Sequence, residues 1–322
     1  MLKLILTGLV AAVTTLSASA AEAAYPEKNV EFVIPFGPGG GFDRIVRAIS
    51  PFMEKQFGNK ISVLPRNVPG AGGKRGLATV YRARPDGYTI SIANMPGAAL
   101  PAITGDSVEY DINKFTWIAR LATEEYMVAV PTKSAIRSID DLRKLGRPVK
   151  MPSTDFGSTG FAATVIFGEV LGFPIQHLTG YKGTSDYIVG VIRGDGDATV
   201  GPVSSMRKFI QAGDMRAIMT TEEVSSVKGV PTVAELGHPD LTGLGVDRFV
   251  LGPPDMPDAL TRTLSDSMAK AIEDPELQAI AKKIRQPFSF LPAGKAKANA
   301  DRSLAIYTKF KAAIQKAAGK TR

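Results

Sequence analysis

Side chains equipped for covalent chemistry are scarce in this sequence. There is no cysteine, which excludes thiol nucleophiles, thiolate metal sites, disulfides and an acylated lipoprotein anchor. The two histidines, His177 before "LTGY" and His238 in "LGHPD", have no His or Cys partners at metal-ligand spacing. No G-x-S-x-G elbow presents a serine as a nucleophile. "GDGDA" at 194–198 starts like a calcium loop but lacks the later ligands and the closing glutamate, so a turn before a strand explains it better. No catalytic or metal residue is assigned.

What the chain offers instead is backbone. "IPFGPGGGFDRIVRAI" (34–49) leaves an apolar strand, places glycine at 37, 39, 40 and 41, and enters a helix with Asp43 in its first turn. Glycines there allow something to approach the main chain closely, and a side chain at Gly40 or Gly41 is expected to block that approach and to disfavour a positive φ. A dinucleotide fingerprint fails because Phe42 stands where the third glycine belongs. "GAGGKRG" (70–76) fails as a P-loop, since Val68 replaces the first glycine and Arg75 the magnesium-binding Ser or Thr. A strand, glycine loop and helix start remain, a generic anion site for carboxylate or phosphate. "PSTDFGSTGF" (152–161) sets Ser153, Thr154, Ser158 and Thr159 around Gly157, again between strand and helix. Ser158 or Thr159 as a plain N-cap and Asp43 as a complement to the helix dipole, bracing the loop, are the structural alternatives.

Alternating periodicities position these loops. Strand "VEFVIPF", helix "FDRIVRAISPFMEKQFG", strand "ISVLP", helix "GKRGLATVYRARPDG" and strand "YTISIAN" predict a mostly parallel sheet flanked by helices. Ligands of such sheets sit at the carboxyl ends of strands, where the glycine loop lies. A second series starts near Tyr126 with strand "YMVAVP", and "VDRFVLGPP" crosses back before three C-terminal helices. The expected fold class is therefore α/β with two such lobes and a cleft between them: lobe 1 from 24–125 plus 246–322, lobe 2 from 126–245, hinged near Tyr126 and Val246.

The first residues carry an address. Lys3, the apolar run "LILTGLVAAV" and the small residues "TTLSASA" read as a signal peptide, cleaved after Ala20 or Ala23 (1–23 in the latter case), and too short in its apolar core for a membrane span. The formal charge of +8 survives that cleavage, because Lys3 and Glu22 leave together. The basic residues are dispersed and not interleaved with aromatics, which argues against nucleic acid and leaves anionic solutes or a solvated basic surface.

"YPEKNVEFVIPFGPGGGFD", "NVPGAGGKRG", "RPDGYTI", "YDINKFTWIA", "YKGTSD" and "GVPTVAEL", in that order, resemble the solute-binding proteins of tripartite tricarboxylate transporters, the Bordetella uptake gene family, over essentially the whole mature chain. The resemblance implies a periplasmic Venus flytrap with no enzymatic activity and no cofactor. It would close as a monomer over a di- or tricarboxylate or an aromatic acid and deliver it to membrane permease subunits; the alternative task is a periplasmic sensor presenting the bound form to a signalling protein. It also implies that one carboxylate is held by Phe36, Gly39, Gly40, Gly41, Phe42 and Asp43 from one lobe and by Ser153, Thr154, Asp155, Ser158 and Thr159 from the other. Asn94, Tyr181, Pro202 and Ser204 fall at the ligand's far end. The sequence departs from the family at Phe42 (often Thr), Arg66 (often an acid) and Phe161 (often His), with Gly180 inserted before "YKG". Rings at 42 and 161 facing the cleft would favour a ligand with an apolar body.

Overall fold

The computed structural model describes residues 25–319 apart from positions 59 and 285. The expected signal peptide, 1–23, lies outside the described residues. Strand β1 (Val30–Ile34) feeds the glycine loop and α1 (Gly41–Gln56), followed by β2 (Val63–Asn67), α2 (Lys74–Tyr81) and β3 (Thr89–Met95). A short helix, α3 (Leu100–Thr104), precedes the long strand β4 (Thr116–Pro131). Next come α4 (Ile139–Arg143), β5 (Val149–Pro152), α5 (Thr159–Leu171), β6 (Ile175–Leu178), α6 (Thr184–Arg193), β7 (Thr199–Pro202), α7 (Val203–Gln211) and β8 (Met215–Thr220). The chain then returns through β9 (Gly245–Gly252), α8 (Asp258–Glu273), α9 (Pro275–Lys283), β10 (Leu291–Pro292), α10 (Ala293–Lys309) and α11 (Lys311–Ala317).

Helix α1 buries Ile45, Val46, Ile49, Phe52 and Met53, the stripe that a 3.6-residue period places on one face. Helix α5 is apolar nearly all round and is correspondingly enclosed, with Phe161, Ile166 and Phe167 wholly buried. One sheet runs β10-β4-β9-β3-β1-β2, and β7 and β8 also pair with β4. The expectation of parallel pairing holds for β1 with β2 and β3, and for β5 with β6. The connecting strands are antiparallel: β9 pairs with β3 and β4, and β7 and β8 pair with the far half of β4. For β4 and β9 that follows from topology, since strands crossing between two lobes in opposite directions run against each other.

The strand expected to begin at Tyr126 starts ten residues earlier, at Thr116. Its first part pairs with β9 as far as Glu125 opposite Gly245, and its last part pairs with β7 from Tyr126 onward. Register shifts at Trp117/Ala119, Arg120/Ala122 and Val128/Ala129 bend it on the way. Two apolar cores cover the faces of the first sheet. A third, built on α5, fills the second lobe and takes in Tyr307 of α10 and Ile314 of α11. Among the described residues no helix is long and apolar enough to cross a membrane.

Candidate functional site

The glycine loop is held from within. Gly39 adopts φ +79°, a left-handed turn, and its N–H donates to Asp43 Oδ2 at 2.9 Å. Asp43 Oδ1 accepts from Arg47 Nε and from Asn67 Nδ2, both at 2.9 Å, and Asn67 Nδ2 also donates to the Phe36 carbonyl at 3.0 Å. Burial opposes the charge on Asp43, but the bonds from Arg47, Gly39 and Asn67 outweigh it and hold the carboxyl below the ordinary carboxylate range. The bracing role expected of Asp43 is what its geometry shows. The left-handed backbone belongs to Gly39, however: Gly40 is the N-cap at φ −75° and Gly41 opens the helix, so positive φ is not what Gly40 and Gly41 require. Their amides stand at the start of a 16-residue helix, where N–H groups have no intrahelical acceptor.

The second loop is organised the same way. Asp155 Oδ1 accepts from Gly157 N at 2.8 Å, and Ser158 Oγ caps α5 by accepting from Phe161 N at 3.2 Å. Ser158 also donates to the Asp155 carbonyl at 2.9 Å, so its side chain is engaged in the N-cap. Thr154 is half-buried, and its carbonyl accepts from Gly180 N at 2.9 Å. Ser153 is 2% exposed, and its Oγ has no hydrogen-bond partner among the described residues.

Asn94, at the end of β3, reaches the start of α5: its Nδ2 donates to Thr159 Oγ1 at 3.0 Å. Gly97 makes that approach possible, since a Cβ there would lie 2.6 Å from Asn94 Nδ2 and 3.0 Å from Thr159 Oγ1. Asn94 Oδ1 is buried without a partner among the described residues. Phe36 and Phe42 stack at 4.6 Å, and Phe42 packs against both the first-lobe core under α1 and the second-lobe core. The structure thus ties Phe36 and Gly39 to Asp43 together at the carboxyl end of β1, and Asn94 to Thr159 at the start of α5, with Phe42 packed against the cores of both.

Three further expected residues, Tyr181, Pro202 and Ser204, stand around α6 and α7. Tyr181 donates to Asp195 Oδ2 at 2.9 Å and lies against Gly190 of α6. Pro202 is the N-cap of α7, opposite Tyr126 on β4. Ser204, in the first turn of α7, donates to Glu124 Oε2 at 2.8 Å and lines a cavity of about 550 Å³ between β4, α7 and α9. Phe161 is 0% exposed within the second-lobe core, 4.5 Å from the His177 ring, so it is packing and not a wall of the cleft. Burial alone lowers His177 to about 4, which keeps it neutral.

Sequence reasoning missed Asn67 and Arg47, the partners of Asp43. The i, i+4 spacing of Asp43 and Arg47 and the strand-end position of Asn67 in "NVPGAGG" were the available signals. It also missed the buried pair Glu124–Arg248, at 2.8 Å with each side chain 6% exposed. Nothing in the sequence links residues so far apart.

Solved structures share this architecture. A TctC solute-binding protein from Polaromonas matches with a TM-score of 0.75 at 19% identity, covering 91% of this chain and 99% of that one. Two Rhodopseudomonas palustris proteins match similarly: MatC with bound malate (TM-score 0.71, 18% identity, 90% and 100% coverage) and a protein with adipate (0.72, 22%, 92% and 98%). The fold is that of two-lobed periplasmic solute-binding proteins. A UPF0065 protein of a Pseudomonas species is 30% identical over 292 residues, covering 87% of this chain and 84% of the relative. Residues 45–289 match the model of the tripartite tricarboxylate transporter family receptor. The chain belongs to that family.

Proposed function

We propose that the protein is a periplasmic receptor that closes on a small organic carboxylate and hands it to the membrane subunits of a tripartite transporter. Lobe 1 (24–125 with 246–322) and lobe 2 (126–245) would hinge where β4 and β9 run between them. The observation that carries this reading is Phe42, in the first turn of α1, packing against both the core under α1 and the core built on α5, while the Asn94–Thr159 bond ties the end of β3 to the start of α5. Helix starts favour negative charge, and main-chain donors in a closed cleft complement a carboxylate without a countercharge of their own. Malate and adipate in the related folds support a carboxylate as the solute.

A thermal-shift screen tests it, with malate, adipate, citrate, benzoate and acidic amino acids beside their amides. An acid at 100 times its dissociation constant should add about 2.7 kcal/mol, a shift of about 5 °C or more. A screen in which no carboxylate raises the melting temperature, or in which amides do as well, refutes the reading. Loss of uptake of the same acid on deleting either receptor or permease would establish delivery.

A further inference from the structure

We propose that Arg248 determines specificity in the cleft, its guanidinium giving the ligand's carboxylate a fixed positive charge and an N–H donor at the start of α1. This rests on the carboxylate-receptor reading above and names a residue that the expected site did not contain. Arg248 lies on β9 and is 5% exposed. Its Nη1 donates to Glu124 Oε1 at 2.8 Å, while its Nε is buried with no acceptor among the described residues. An unanswered donor on a buried charge is costly, and structures rarely retain one without a partner.

The side chain is aimed at the glycine loop. Its Cζ lies 5.0 Å from the centre of the Phe42 ring, and a Cβ on Gly41 would stand 3.2 Å from Nη2. Glycine at 41 therefore lets the guanidinium rest against the first turn of α1. Electrostatics make that an odd resting place. The start of a 16-residue helix carries positive partial charge, and a cation belongs at the other end. Glu124 offsets one charge, but its second oxygen is taken by Ser204 of α7, and Asp43 is fully engaged by Gly39, Arg47 and Asn67. A guanidinium, an open helix start and one shared carboxylate favour an anion as the further partner, and the nearby Gln286 Oε1, 3.3 Å from the same Gly41 Cβ position, brings no charge of its own.

Calorimetric titration of the native protein, Arg248→Met and Glu124→Gln with malate, adipate and benzoate, each beside its amide, tests the assignment. Arg248→Met should weaken acid binding roughly 10- to 100-fold, the loss of one charge-assisted bond, and leave the weak amide binding unchanged. Glu124→Gln should tighten acid binding, because the guanidinium loses its competing carboxylate. A purely structural pair would behave otherwise: acid and amide would weaken together in Arg248→Met, and Glu124→Gln would bind no better than native. Either result overturns the assignment while leaving the receptor reading intact. Should Arg248→Met fail to fold, the direction of the Glu124→Gln change decides. A native protein that binds no acid overturns both readings.

Discussion

Replacing Asp43 by Asn preserves its shape and removes its charge, which isolates what the carboxylate contributes to the glycine loop. The native group accepts three bonds at 2.9 Å, from Gly39 N, Arg47 Nε and Asn67 Nδ2. An amide has one acceptor oxygen, so its NH₂ must face at least one of those donors. Bonds to a charged group are worth about 1.5–3 kcal/mol each. The Arg47 side chain is 49% exposed, so its share is screened and is set near zero. The remaining loss, weakening both main-loop bonds and orphaning one, comes to about 2–3 kcal/mol, or about 4–6 °C in a chain of this size. The pH dependence has a definite sign. Because the folded carboxyl sits below its ordinary value, its stabilisation is full above an unfolded pKa of about 4 and disappears as pH falls through the folded value. Scanning calorimetry of native and Asp43→Asn proteins should show the gap at pH 7 closing as the pH falls below about 4. Equal melting temperatures at pH 7, or a gap that ignores pH, would refute the bracing argument.

Three further outcomes follow from the geometry. Gly39→Ala should cost about 1 kcal/mol, purely from its φ of +79°, whereas Gly40→Ala, at φ −75° with its nearest neighbour 3.7 Å away, should be near neutral by chemical denaturation; equal costs would show that the turn conformation does not matter. Thr159→Val removes the interlobe bond to Asn94 and should open the unliganded protein and weaken carboxylate binding about 5-fold, for about 1 kcal/mol; an unchanged scattering radius and affinity would exclude that bond as a closure contact. Burial, against the pull of Thr123 and Arg120, pushes Asp247 up to about 6. The stability linked to its protonated form is full below about 4 and lost between about 4 and 6, so Asp247→Asn should gain on the order of 2 kcal/mol over native at pH 7 and nothing at pH 4. A denaturation difference that stays constant across that range would contradict it.

The parts of the fold visible in the sequence are those written in local patterns. The stripe of α1, the apolar shell of α5 and the glycine and Ser/Thr loops each lie within a few turns of chain, and each forms where its period places it. Strand β4 was half visible: "YMVAVP" shows as a strand, but "TWIARLATEE" mixes charged residues into its alternation because Glu124 and Arg120 face the buried Arg248 and Asp247 of β9. Such partners are set by tertiary contact, as with Arg248 and Glu124, and a single sequence records neither. Phe161 was equivocal for the same reason: a ring in the first turn of a helix reads alike whether it faces a cleft or a core. Its complete burial beside His177 decides it.

Strand β4 passes from one lobe to the other as 16 unbroken residues, with β9 bonded to it on one side of the junction and β7 and β8 on the other. In the proposed closure such a connection would act as a flexure and not as a pivot. A pivot turns freely about one loop residue, whereas a flexure bends along its length and returns when released, with its hydrogen-bond ladder intact at every angle. In the proposed receptor, closure would bend β4 at its register shifts, and a stiffer strand there would raise the cost of closing without touching a single group that meets the solute.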